Sequence, residues 1–206
     1  MTVIASDLDG TVCEFLHGAA PLVTKIFGLQ PDFNNLYTPP EFYTTSKLMD
    51  DVFSLPAGTF KKEMEPFLVN EMRLFKNLPR LEEDNYLLTR MLYNHFTDLK
   101  LYFITARDPD PLPVADTYYW VNNNGYEYDE VFHIENKASF CSYMGINLMI
   151  EDEPRQIIPL YQNGVNVIIM NQPWNDHIEE VKNKPVQLRR AYNWQDVFSL
   201  CKEILG

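Results

Sequence analysis

Thr2-Val3-Ile4-Ala5-Ser6-Asp7-Leu8-Asp9-Gly10-Thr11-Val12 opens the chain with an apolar run and closes it with two acids one residue apart. The run has the character of a buried strand, and open α/β sheets bind ligands beyond the carboxyl ends of such strands. Asp7 and Asp9 stand at that end, with Gly10 and Thr11 behind them. A polar turn is the simplest reading of one acid in this place. Two acids so spaced ask for a further reason, and the rest of the chain has to supply it.

Moving outward, the same kind of run recurs at 99–106, 130–134, 147–151 and 165–170. Each is nearly continuous in apolar residues, as parallel strands covered on both faces must be. Helical stretches separate them. Residues 82–97 place Leu87, Leu88, Met91, Leu92 and Phe96 at helical spacing, with acids expected in the first turn. Glycines 125, 145 and 164 close candidate helices at 112–124, 137–144 and 154–163, and Asn193 is an N-cap for a last one. Strand and helix alternating in this order predict a doubly wound, Rossmann-like parallel sheet with right-handed crossovers.

Residues 15–80 break the rhythm. They are rich in aromatics and proline, then turn helical across 58–78, and are far longer than a crossover requires. The expectation is a small helical cap inserted after the first strand, over a core made of 1–14 and 81–206.

Composition limits the function classes. A chain of 206 residues with 46% hydrophobic and 14% aromatic side chains can bury a full core. A formal net charge of -12 disfavours binding to nucleic acid, which needs arrayed Lys and Arg. A small phosphorylated substrate remains compatible, because a local cation outweighs the global field at short range. Cys13, Cys141 and Cys201 show no paired spacing, which fits a reducing, cytoplasmic setting. No run reads as a membrane span or a secretion signal. His17, His95, His133 and His177 share no metal-ligand spacing, which argues against a histidine metal site.

The strand ends supply the missing reason for the paired acids. Strand one ends at Asp7 and Asp9, strand two at Thr105, the 147–151 strand at Glu151, Asp152 and Glu153, and Lys137 begins the helix after the third strand. In a parallel sheet these ends share one edge, so side chains distant in sequence converge. Carboxylates can hold Mg²⁺, and a hydroxyl and an ammonium can hold phosphate oxygens, which together are the requirements of phosphoryl transfer.

"DLDGT" at 7–11, "FITAR" at 103–107, Lys137 and "MIEDEP" at 149–154 resemble, in order, the four motifs of the haloacid dehalogenase superfamily of phosphatases. The insertion directly after the first motif is similar to the helical cap of 5′-(deoxy)ribonucleotidases of the cytosolic C type. The resemblance implies a Mg²⁺-dependent phosphomonoesterase in which Asp7 is the nucleophile and Asp9 the acid and base. It implies Mg²⁺ on Asp7, the Asp9 main-chain carbonyl and Asp152, and phosphate on Thr105, Ala106, Arg107 and Lys137. Two departures stand out: Glu151-Asp152 replaces paired aspartates, and Ala106 replaces a serine, leaving Arg107 as its expected substitute. The expected substrate is a nucleoside monophosphate. A sugar phosphate and a catalytically silent binding module on the same fold remain the alternatives, and a homodimer is allowed. Leaving-group choice is expected in the cap, with Phe15, Phe33, Tyr37, Phe42 and Tyr43 as the stacking candidates.

Overall fold

The computed structural model describes residues 1–35 and 44–206. Tyr37, Phe42 and Tyr43, three of the stacking candidates, lie outside the described residues. Strand β1 (Thr2–Ser6) is followed by α1 (Phe15–Phe27), α2 (Thr45–Val52), α3 (Glu65–Asn70) and α4 (Asn85–His95). The chain then alternates through β2 (Leu99–Thr105), α5 (Pro111–Asn123), β3 (Glu130–His133), α6 (Lys137–Met144), β4 (Leu148–Glu151), α7 (Pro154–Gln162), β5 (Asn166–Met170), β6 (Leu188–Ala191) and α8 (Trp194–Leu205).

The strands form one parallel sheet in the order β3-β2-β1-β4-β5-β6. In register, Ile4 sits beside Leu101 on one side and Leu148 on the other. The order reverses beside β1, because the chain leaves β3 and returns to β4 across the first strand. A crevice at the carboxyl ends is the consequence at such a switch point.

Both faces of the sheet are covered, which explains the unbroken apolar runs. Ile4, Phe103 and Ile168 face a core shared with α4, α5 and α8, through Leu92, Trp120 and Val197. Val3, Ile104 and Met149 face the opposite core, shared with α6 and α7 through Cys141 and Ile157. The three cysteines are free and buried. Among the described residues, no helix is long and apolar enough to cross a membrane.

The segment between β1 and α4 leaves and rejoins the sheet at one place. Cys13 pairs antiparallel with Arg80, the Glu14 amide donates to the Pro79 carbonyl at 2.9 Å, and the Leu81 amide to the Val12 carbonyl at 2.9 Å. Its apolar side chains, among them Phe15, Leu48, Phe60 and Leu68, join the first of the two cores rather than making a third.

Three local features differ from the sequence reading. The stretch 58–78 is not one helix: a π-helical turn at Phe60–Met64 leads into α3, Arg73 adopts φ 55°, and a 3₁₀ turn follows at Leu74–Lys76. Pro66, which has no N–H to give to the carbonyl four residues back, sits where the winding changes. Glu82, Glu83 and Asp84 stand before α4 rather than in its first turn, and Glu82 accepts the Trp194 amide at 3.0 Å. Strand β6 carries Arg189 and Arg190 at the sheet edge, where charge suppresses the apolar signal used to find strands.

Candidate active site

Asp7 extends the β1 ladder by one residue, its amide donating to the Ile150 carbonyl at 2.9 Å. That pairing holds its carboxyl at the crevice, 7% exposed. Lys137, the first residue of α6, is 1% exposed and reaches Asp7 Oδ1 at 2.8 Å and Glu151 Oε2 at 2.7 Å. Glu151 is fully buried, and its other oxygen accepts the amides of Asp152 at 3.1 Å and Glu153 at 3.0 Å. Glu151 therefore fixes both the lysine and the turn that presents Asp152.

Asp152 is held from a third direction. Trp174 donates its indole N–H to Oδ2 at 3.0 Å, and Asn175 donates to the Asp152 carbonyl at 2.9 Å. Its Oδ1 is buried and accepts no hydrogen bond among the described residues. One carboxylate oxygen each of Asp7, Glu151 and Asp152 lies within 4.8 Å of the others. Gly10, at φ +79°, is the reason they can close up: a Cβ there would stand 2.1 Å from Asp152 Oδ2.

The electrostatics follow from this crowding. Burial, with Glu151 and Asp9 adding repulsion against the opposing pull of Lys137, pushes the Asp7 carboxyl up to about 8. Burial first, then Glu151 and Asp7, likewise raises Asp152 well above the carboxylate range. One buried ammonium balances only part of this negative charge. The donor set is all oxygen, packed and short of positive charge, and one of its residues, Asp152, carries a buried carboxylate oxygen with no hydrogen-bond partner among the described residues; it fits a hard divalent cation such as Mg²⁺.

Thr105 closes β2 at 1% exposure, and its hydroxyl accepts the Arg107 amide at 3.2 Å. Thr105, Ala106, Asp7, Asp9 and Lys137 all border one cavity of about 710 Å³. The sheet edge thus brings together the residues singled out in sequence. Arg107 differs from its expected place on phosphate. Its Nε and Nη2 donate to Asp9 at 2.8 and 2.7 Å, and its Nη1 donates to Thr117 at 3.1 Å. The Asp9 carboxylate is the nearest anion, and it takes the guanidinium.

The far wall of the cavity comes from the insertion. Phe15 and Phe75, with ring centroids 6.4 Å apart, line it together with Ser46, Lys61, Glu65 and Val69. Of the aromatics expected there, Phe15 is on the wall. Phe33 instead stacks on His17 at the surface. Phe75, Ser46 and Glu65 were not anticipated. Glu65 accepts a 3.4 Å bond from the Ser46 hydroxyl, and burial raises its carboxyl above the usual range. No short motif marks them, because they come from three separate elements, α2, α3 and the 3₁₀ turn at Leu74–Lys76, that meet only in the folded chain.

Residues 1–204 match the family model described as "5′ nucleotidase, deoxy (Pyrimidine), cytosolic type C protein". The chain belongs to this family. A relative from Chlorobaculum tepidum, named as a candidate 5′(3′)-deoxyribonucleotidase, is 26% identical over 130 residues, or 62% of this chain. The match takes in 52% of that relative, so the chain spans about half its length. Among solved structures, a haloacid dehalogenase-like family hydrolase from Streptococcus pneumoniae superposes with a TM-score of 0.57 at 13% identity, over 97% of this chain and 98% of its own. A candidate haloacid dehalogenase-like hydrolase from Burkholderia xenovorans gives 0.55 at 16% identity, over 100% and 98%. The fold of this chain is therefore similar to that of haloacid dehalogenase-like hydrolases.

Proposed function

We propose that the chain is a Mg²⁺-dependent phosphomonoesterase that hydrolyses a nucleoside monophosphate in the cytoplasm. The observation that carries the reading is the buried chain Asp7–Lys137–Glu151, grouped with Asp152, of which Asp7 and Lys137 border an open cavity. Asp7, Asp152 and the Asp9 main-chain carbonyl would hold the cation, which when bound offsets the charge of the phosphoryl group. Residues 15–80 act as the cap that encloses the leaving group.

The chemistry divides into two displacements. An Asp7 carboxylate oxygen attacks phosphorus; the ester P–O bond breaks, and the departing alkoxide takes a proton from Asp9. Water then attacks the aspartyl phosphate, Asp9 takes the water proton, and the P–O bond to Asp7 breaks to release inorganic phosphate. Lys137 keeps the Asp7 oxygen aimed and carries a positive charge toward the phosphoryl oxygens. The Thr105 hydroxyl and the main-chain amide of Ala106 offer the remaining donors, the Arg107 amide being held by the Thr105 hydroxyl oxygen.

The test is phosphate release in the presence of Mg²⁺ across nucleoside monophosphates and sugar phosphates, with the folded Asp7→Asn protein as control. Turnover on nucleotides that is abolished in Asp7→Asn is the expected result. A preference for sugar phosphates overturns the substrate, and an active Asp7→Asn overturns the mechanism.

A further inference from the structure

We infer that Arg107 is the positioning residue of the proton-transfer group: it clamps Asp9 edge-on and leaves Asp9 Oδ2 as the oxygen that exchanges a proton with the leaving group and the water. The inference rests on the phosphomonoesterase reading and concerns how its acid is aimed.

Arg107 follows β2 by two residues, and its side chain is 2% exposed. Nε donates to Asp9 Oδ2 at 2.8 Å and Nη2 to Asp9 Oδ1 at 2.7 Å, the two-pronged arrangement that a planar guanidinium makes and an ammonium cannot. Nη2 also reaches Cys13 Sγ at 3.3 Å, and Nη1 reaches the Thr117 hydroxyl of α5 at 3.1 Å. The flat face of the guanidinium lies 4.3 Å from the centre of the Phe75 ring. Four of the five N–H donors of Arg107 are thereby committed to protein groups, and both prongs of its fork face Asp9 rather than a substrate phosphate.

The two Asp9 oxygens are not equivalent under this clamp. Oδ1 accepts from Arg107 Nη2 and also from the Cys13 thiol at 3.3 Å. Oδ2 accepts from Arg107 Nε and from no other group among the described residues. A carboxylate oxygen has two lone pairs in its plane. Oδ1 is crowded by Arg107 Nη2 and by the Cys13 sulfur, whose single S–H is shared with the Leu8 carbonyl, also at 3.3 Å, whereas Oδ2 meets Arg107 Nε alone and keeps a lone pair free. Asp9 also borders the cavity, so the free lone pair belongs to the oxygen able to serve the reaction. Phe75 comes from the insertion, so the acid's aim is tied to the wall that encloses the leaving group.

The experiment compares Arg107→Ala and Arg107→Lys with wild type on a nucleoside monophosphate and on p-nitrophenyl phosphate, with inorganic phosphate as competitive inhibitor and melting temperature alongside. A leaving group of low pKa needs little protonation, so the aim of Asp9 matters less for it. Arg107→Ala should lose about a hundredfold in kcat on the nucleotide and at least tenfold less on the aryl ester, with the inhibition constant of phosphate changed by less than about threefold. Free guanidinium ion should restore part of the lost turnover in Arg107→Ala and none in Asp9→Asn. Arg107→Lys keeps the charge without the fork and should show the same imbalance in weaker form; it carries the test if the alanine variant does not fold. Equal losses on both esters with a phosphate inhibition constant raised tenfold or more would make Arg107 a phosphate ligand and overturn the inference. Wild-type turnover in a folded variant overturns it too. A wild-type chain that releases phosphate from no ester removes both the inference and the reading beneath it.

Discussion

Gly10→Ala should disable the acidic centre without unfolding the protein. Gly10 has φ +79°, and an alanine Cβ would stand 2.1 Å from Asp152 Oδ2 and 2.6 Å from its Cγ. Real Cβ contacts stay above 3.0 Å, so Asp152 must retreat by about 0.9 Å, the difference between those two distances. Two costs add. A non-glycine residue in the left-handed region costs about 1–2 kcal/mol. Moving Oδ2 also strains the indole bond from Trp174, and a buried donor left without its acceptor costs about 1–3 kcal/mol. A stability loss of about 2–4 kcal/mol is expected, since the retreat need not sacrifice the whole bond. The functional loss should be larger in proportion, because displacements near 1 Å at a reacting centre cost on the order of 10²-fold. The assays are urea unfolding, Mg²⁺ binding by calorimetry, and Mg²⁺-dependent phosphate release. Gly28→Ala is the control: it shares a positive φ of +71°, but among the described residues, its chain neighbours aside, an added Cβ meets no heavy atom within 4 Å, so it bears the backbone cost. A folded Gly10→Ala protein with wild-type Mg²⁺ affinity and turnover would refute the placement of Asp152 as a cation ligand.

Asp7→Asn should abolish turnover with little change in melting temperature, as judged by phosphate release below the detection limit in a protein of wild-type circular dichroism. Lys137→Met leaves Asp7 and Glu151 facing each other without their shared cation, and should cost about 3–5 kcal/mol in urea unfolding at neutral pH; a loss under about 1 kcal/mol would contradict the buried bridge. Asp129→Ala tests a site remote from the chemistry. Burial alone would raise the Asp129 carboxyl, but Lys100, the Tyr93 hydroxyl and the Leu101 amide together hold it below its usual value. A carboxyl lowered in the folded state stabilises above its unfolded pKa, near 3.9, and loses that contribution as pH falls through the lower folded value. Wild type should therefore exceed Asp129→Ala by about 1–3 kcal/mol at pH 7, and the gap should close below about pH 4. A gap that stays constant from pH 7 to pH 3 would show that the charge is not its source.

The sequence by itself determined the sheet and the identity of the acids at its edge. Strands β1 to β5 had to be continuous apolar runs because both faces are covered, and that pattern survives without knowledge of any partner. Once the strands are parallel, their carboxyl ends share an edge, so Asp7, Asp9, Thr105, Lys137 and Asp152 converge whatever the details of packing. Only the tertiary structure decided which oxygen faces which cation. Glu151 became the second anchor of Lys137, and Arg107 became the clamp on Asp9 rather than a donor to phosphate, because each contact joins residues 14 and 98 positions apart. The indole of Trp174 on Asp152 and the part that Phe75, Ser46 and Glu65 take in the wall beside Phe15 were hidden for the same reason. Strand β6 escaped notice because its arginines sit on the sheet edge. Periodicity records which face of an element is buried; it carries no information about the direction in which a polar side chain, once buried, finds its partner.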